Sequence, residues 1–207
     1  MAVSDPSSEH ERDEDATPAR KRPRPGERRL QILQTLVAML EQPGAERVTT
    51  AGLAAKIGVS EAALYRHFAS KAQMFEGLID FVDQSVMGLI RQVTDREPVG
   101  LQQASRIVAL LLQFAEKNPG MSRVMIGDAL VLEHESLQER INLLFDKIEA
   151  QLRQSLKASD SASPTADAQV TASMLVAFMQ GRLQRFARSG FKRLPSEHLP
   201  AALGRMI

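Results

Sequence analysis

The chain has 207 residues, no cysteine, no tryptophan and a formal net charge of +1 from 26 basic and 25 acidic side chains. This composition excludes a disulfide framework, a thiolate nucleophile and a cysteine-based zinc site, and it fits a reducing cytoplasm. Aromatic residues make up only 4%, so the core must be built from Leu, Ile, Val, Ala and Met, which suits packed helices better than a β-sandwich.

No apolar stretch at the start reads as a secretory leader. The most apolar run, Ile107 to Leu112, is far too short to span a membrane. The near-neutral total hides an uneven layout. Asp5, Glu9, Glu11, Asp13, Glu14 and Asp15 precede a block of Arg20, Lys21, Arg22, Arg24, Arg28 and Arg29. Two readings stand for the basic block, a phosphate-binding arm and a solvated tail. The acidic stretch reads as a solubilising tail or as a segment that folds back on the arm. Residues 1–24 lack apolar periodicity and are expected to be disordered.

From Pro25 onward the pattern turns helical. Leu30, Leu33, Leu36, Val37 and Leu40 mark a first helix that Pro43-Gly44 should stop. Thr49-Thr50 opens a short helix ending at Ile57, and after Gly58-Val59-Ser60 another runs from Glu61 to Phe68. Ser70 is placed to cap a long helix reaching Val93, with Phe75, Leu78, Ile79, Val82, Val86 and Ile90 on one stripe. A loop around Pro98-Gly100 separates it from an apolar helix over Leu101–Lys117, closed by Asn118-Pro119-Gly120. Further helices are expected over Met121–Leu132, Leu137–Lys157 and Asp167–Arg188, with a polar linker at Ser159–Thr165 and a short last helix within Pro195–Met206. No convincing β-pattern and no internal repeat is visible.

The informative segment is residues 49–68. Leu53 and Ile57 lie one turn apart, as do Leu64 and Phe68, and Val59 sits between the pairs. These five side chains can close a small core between two helices. Ala54 is small where the helices approach, Gly58 suits the left-handed residue that ends the first, and Ser60 can cap the second. That assignment leaves Glu61, Ala62, Tyr65, Arg66 and His67 facing outward. Two short helices joined by a tight turn form the unit that lays a recognition helix in the major groove. Ala62 suits a thymine methyl and Arg66 a guanine or a phosphate. Thr49, Thr50 and Ser60 lie at helix starts, where phosphate binding and helix capping are both open readings. For Lys71 the readings are a phosphate clamp and a solvated lysine. For His67 they are a phosphate contact and a packing histidine.

With Tyr65, His67, Phe68 and Lys71 in place, this segment resembles the TetR family of bacterial regulators. Segments outside it, namely Glu116–Gly120, Leu137–Leu156 and Arg185–Pro195, together with Val59–Phe68 and Leu78–Ser85, resemble the branch of that family that acts in nucleoid occlusion. The resemblance implies an all-α fold: an arm at 1–24, a helix-turn-helix domain at 25–70 and a helical dimerisation and effector domain at 71–207. It implies a cytoplasmic, nucleoid-associated homodimer on palindromic double-stranded DNA that, when DNA-bound, antagonises the tubulin-like division protein FtsZ. The matching partner positions are Phe81, Leu110 and Asn118, with Lys117 where relatives carry Arg, and Gln113 departs from the pattern. For Phe81 and Leu110, burial in the core is the competing reading.

Val170, Met174, Ala177, Phe178, Gly181 and Arg185 fall on one stripe of the 167–188 helix. That stripe either forms a dimer interface or faces the chain's own core. In most TetR relatives the second domain encloses a ligand, so a ligand-responsive repressor is the alternative function. Val108, Leu110, Leu111, Leu112 and Phe114 then line a pocket, with Ser105, Arg106 and Gln113 to orient the ligand. No cofactor or metal site is expected. The four histidines are dispersed, and no phosphate loop, H-E-x-x-H or nucleophile elbow is present, so an enzyme is not expected.

Overall fold

The computed structural model describes residues 26–42, 48–131, 133–157 and 164–207. The order is α1 (Glu27–Leu40), α2 (Thr50–Ile57), α3 (Glu61–Tyr65), α4 (Lys71–Thr94), α5 (Leu101–Lys117), α6 (Pro119–Met125), a 3-10 turn (Asp128–Leu130), α7 (Glu135–Leu156), α8 (Pro164–Arg188) and α9 (Leu199–Met206). Among the described residues there is no strand. No described helix is long and apolar enough to cross a membrane.

Helices α1 to α3 form a small unit. Ile32, Leu36 and Leu40 of α1 meet Leu53 and Ala54 of α2, Leu64 of α3, and Phe68 just beyond it, all buried. Gly58 has φ 76 and ψ 42, the left-handed conformation expected of it. Long α4 leaves this unit and enters a core with α5, α7 and α8, where Met74, Phe75, Ile107, Val108, Ile148 and Leu175 are all buried.

Ion pairs fix the direction of α7. Lys71 pairs with Glu133, Asp80 with Arg140, and Asp83 with Lys147 at 2.8 Å. The partners ascend together, so α7 runs parallel to α4, away from the helix-turn-helix. Helix α8 returns antiparallel to α7, because Gln169, near its start, bonds Glu149 (2.6 Å) and Arg153 (2.9 Å), near the end of α7. The C-terminal end of α8 therefore lies at the end of the core nearest the reading unit. The buried Ser155 hydroxyl donates to Gln103, whose amide donates to the Glu97 carbonyl, whereas the buried Arg123 Nε has no hydrogen-bond partner among the described residues.

Several expected boundaries move. The third helix ends at Tyr65 rather than Phe68, because the chain must turn extended at Ser70, whose hydroxyl accepts the Gln73 N–H and caps α4. Helix α6 begins at Pro119 instead of Met121: a proline that ends one helix also suits the first position of the next. Gly120 is required there, since a Cβ would lie 2.3 Å from the Val37 carbonyl oxygen. Helix α6 stops at Met125 instead of reaching Leu132. Helix α8 starts at Pro164, three residues before Asp167, and α9 is confined to Leu199–Met206. Leu30, one of the apolar positions that mark the first helix, is 51% exposed. The Pro43-Gly44 stop and most of the Ser159–Thr165 linker lie outside the described residues, as do residues 1–25 with their acidic and basic stretches.

Candidate nucleic-acid interface

The reading unit is held by two caps. Thr49 is the N-cap of α2, its hydroxyl accepting the Gly52 N–H at 3.1 Å, and Ser60 caps α3 by accepting the Ala63 N–H at 3.3 Å. This corrects the reading of Thr50 as a cap. Thr50 is the first helical residue, and its hydroxyl donates to Glu61 at 2.6 Å, tying the start of α2 to the start of α3. The cap falls one residue earlier because Thr49 is the last residue in extended conformation.

Ala62, Tyr65, Arg66 and His67 are exposed, and no side-chain hydrogen bond of Tyr65, Arg66 or His67 is present in the described structure. Their outward face follows from the inward one: once Leu64 and Phe68 are buried, the neighbouring positions have no room but solvent. A methyl, a phenol, a guanidinium and an imidazole are thereby offered together, an inventory suited to a groove floor and its flanking phosphates.

The other basic candidates are engaged within the chain. Arg29 donates to the His67 carbonyl and stacks 4.0 Å over the Phe68 ring, so it fastens α1 to the end of α3. Arg28 donates to Gln31 at 2.6 Å. Lys71 pairs with Glu133 and lies 5.7 Å from the Phe75 ring. Sequence spacing carried no sign of Glu133, which approaches from 62 positions away. His134, one residue on, is the N-cap of α7, its Nδ1 accepting the Ser136 N–H. Among the described residues no three His, Asp or Glu side chains gather as a metal site.

Beside the reading unit lies an apolar groove of about 530 Å³ between α1, α4 and the α5–α6 junction. Leu30, Val37, Phe81, Phe114, Asn118 and Met121 line it, and Phe81 is 43% exposed. The Asn118 amide donates to the Phe114 carbonyl at 2.7 Å and shapes the rim. Of the four partner positions, Phe81 and Asn118 meet in this groove. Leu110 is half-buried and Lys117 exposed, and neither belongs to its lining.

On α8, Val170 and Met174 are 60% and 52% exposed, and Ala177, Gly181 and Arg185 are exposed as well. Phe178 is half-buried under the Arg182 guanidinium, 4.9 Å from its ring. A Cβ built on Gly181 meets nothing within 4 Å. Most of the stripe is therefore open to solvent, with Phe178 packed against the core and Ala177 and Gly181 bordering a cleft against α6 and α7. Val108, Leu111 and Leu112 do belong to that core, whereas Ser105, Arg106 and Gln113 line an open groove of about 660 Å³ between α5 and α9.

Comparison with known proteins agrees with this architecture. Residues 32–78 match the family described as bacterial regulatory proteins, tetR family. Residues 100–203 match the tetracyclin repressor-like, C-terminal domain of SlmA-like proteins. The chain is 49% identical over 177 residues to the nucleoid occlusion factor SlmA of Idiomarina loihiensis, covering 84% of this chain and 90% of that protein. It is 50% identical over 173 residues to the SlmA of Vibrio cholerae, covering 82% and 88%. Among solved structures, the fatty acid degradation regulator FadR of Bacillus halodurans superposes with a TM-score of 0.73 at 15% identity, covering 87% of this chain and 95% of that one. A Rhodococcus transcriptional regulator gives 0.70 at 20% identity, covering 86% and 92%. These two likenesses speak for the fold alone.

Proposed function

The chain belongs to the TetR family of bacterial regulatory proteins, and we propose that it is a nucleoid occlusion factor, a DNA-binding dimer that antagonises FtsZ assembly over the chromosome. Residues 25–70 form the reading head. Ala62 and Arg66 meet base edges, while Tyr65, His67, Thr49 and Ser60 meet phosphates. Lys71, Arg28 and Arg29 add positive charge at the margin. Residues 71–207 provide dimerisation through the α8 stripe and the surface that meets the division protein.

The observation that carries the division reading is the groove beside the reading head. An apolar cleft that leaves Phe81 and Leu30 exposed is a surface for a partner segment. Its place against α1 puts any occupant close to bound DNA, which suits an activity that depends on DNA. The test is sedimentation of FtsZ polymer with this protein, with and without a duplex that it binds. Loss of polymer chiefly when the duplex is present supports the reading. Polymer unaffected by the DNA-bound protein overturns it.

A ligand-responsive repressor is the second reading, favoured by the convergence of Ser105, Arg106 and Gln113 in the α5–α9 groove. A small molecule that raises the unfolding temperature and releases DNA would favour it over the first.

A further inference from the structure

From Ala168 to Ser196 the chain contains no acidic residue, yet it carries Arg182, Arg185, Arg188, Lys192 and Arg193. Arg185, Arg188, Lys192 and Arg193 are exposed, and none of the five takes part in an ion pair among the described residues. Glu116 accepts the Ser196 N–H at 2.7 Å, and Glu197 faces His198 at 3.7 Å. Cations in the last turn of a helix are favoured by its dipole, which accounts for Arg185 and Arg188 but not for Lys192 and Arg193 beyond it.

The turn that carries those two is held in shape. The Ser189 hydroxyl oxygen accepts the N–H groups of Lys192 (3.1 Å) and Arg193 (2.9 Å). Phe191 adopts φ 63, a conformation that disfavours a non-glycine residue, and it is kept there by two contacts. Its ring meets Phe186 edge-on at 5.1 Å and lies 5.3 Å from the Arg123 guanidinium. The turn thus presents two exposed cations, Lys192 and Arg193, just beyond Arg188 at the end of α8, a concentration of positive charge that favours an anion.

Position narrows the choice of anion. This end of α8 is the end of the core nearest the reading unit, and α6, which carries Arg123, packs on α1 through Gly120. If α8 forms the dimer, the two copies of this turn flank the two-fold axis between the reading heads, over the middle of the bound site.

We propose that Arg188, Lys192 and Arg193 form a second phosphate-binding surface, which engages the sugar–phosphate backbone of duplex DNA between the two reading heads. The inference rests on the DNA-binding and dimer readings above. It adds an element that binds without reading sequence.

The test is the full chain with Arg188→Gln, Lys192→Gln and Arg193→Gln together. Arg185 stays intact because it lies on the proposed dimer stripe. Binding to a random-sequence duplex is followed by fluorescence anisotropy from about 50 to 200 mM salt, a range that resolves phosphate contacts. The expected result is a loss of about tenfold or more at the low-salt end. The slope of log K against log salt becomes shallower by about 0.9 for each phosphate contact removed. Arg188→Lys with Arg193→Lys, which keeps the charges, should retain the wild-type slope. An unchanged slope in a triple variant that is still dimeric, with wild-type helical content, overturns the surface and leaves the reading head standing. Failure of the wild-type protein to bind any duplex overturns both.

Discussion

Two of the apolar surfaces exposed among the described residues differ in setting. The groove between α1, α4 and the α5–α6 junction is concave and lies against the reading unit. The stripe on α8 runs along a 25-residue helix: Val170 and Met174 stand outward, and Ala177 and Gly181 border a cleft against α6 and α7. A cleft accepts an inserted segment, whereas an exposed stripe along a long helix suits a copy of itself, since a two-fold axis brings identical surfaces together. Exposed apolar area alone does not name a partner, but its place in the fold separates the two candidates.

The largest expected effect comes from the α8 stripe. Met174→Glu places a charge in the middle of the stripe. The chain should then sediment as a monomer at micromolar concentration. Affinity for a palindromic duplex should fall by about 10²–10⁴, because the second half-site is no longer reached intramolecularly. A variant that remains dimeric would move the interface off α8.

The groove should respond independently. Phe81→Glu removes an aromatic anchor and adds a charge, and the loss of a binding hot spot of about 2 kcal/mol lowers partner affinity about thirtyfold. DNA affinity should stay within about twofold, because Phe81 is on α4 and away from the α3 face. The two surfaces serve distinct occupants only if FtsZ co-sedimentation falls in Phe81→Glu while the dimer and the DNA complex persist. If both variants lose the same activity, the comparison collapses.

A smaller effect is expected within the reading head. Arg66→Ala should cost about 1–3 kcal/mol on a selected site and little on random duplex, the mark of a base contact. Equal loss on both would make Arg66 a phosphate ligand.

How far the sequence told these regions apart depends on the range of the forces involved. The core and the turn of the reading unit were legible, though the cap of α2 and the end of α3 were not. Leu53, Ile57, Leu64 and Phe68 close a core over fewer than twenty positions, and Gly58 and Ser60 follow from local backbone geometry. The long helices were legible from period alone, but their ends were not. Pro119 read as a stop and proved also to be a start, and Pro164 extended α8 beyond the boundary that composition suggested. Exposure was the least legible property. Leu30 fits the α1 periodicity and Phe81 belongs to an amphipathic helix, yet each stands at the edge of its stripe, where only the packing of α5 and α6 decides what is covered. The same holds for charges. Lys71 opens α4 as a clamp lysine should, but its partner Glu133 arrives through the long-range path of α5 and α6.

That ion pair carries the smallest and most discriminating prediction. Lys71 and Glu133 have side chains 27% and 12% exposed, so the carboxylate is held close and little water screens it. A phosphate approaching the start of α4 competes with Glu133 for the same ammonium. Glu133→Gln removes the competitor while keeping the shape. Stability should fall by no more than about 1 kcal/mol, since Lys71 can turn to solvent. DNA affinity should rise a few-fold on every duplex, and the salt slope should steepen by about 0.9 as one more phosphate contact becomes available. Lys71→Ala should weaken all duplexes alike. The double variant decides the mechanism: if Lys71 mediates the effect, Glu133→Gln changes nothing once Lys71 is alanine. A gain that survives in the double variant would mean that the carboxylate repels DNA directly, and Lys71 would then be a strut between α4 and the start of α7.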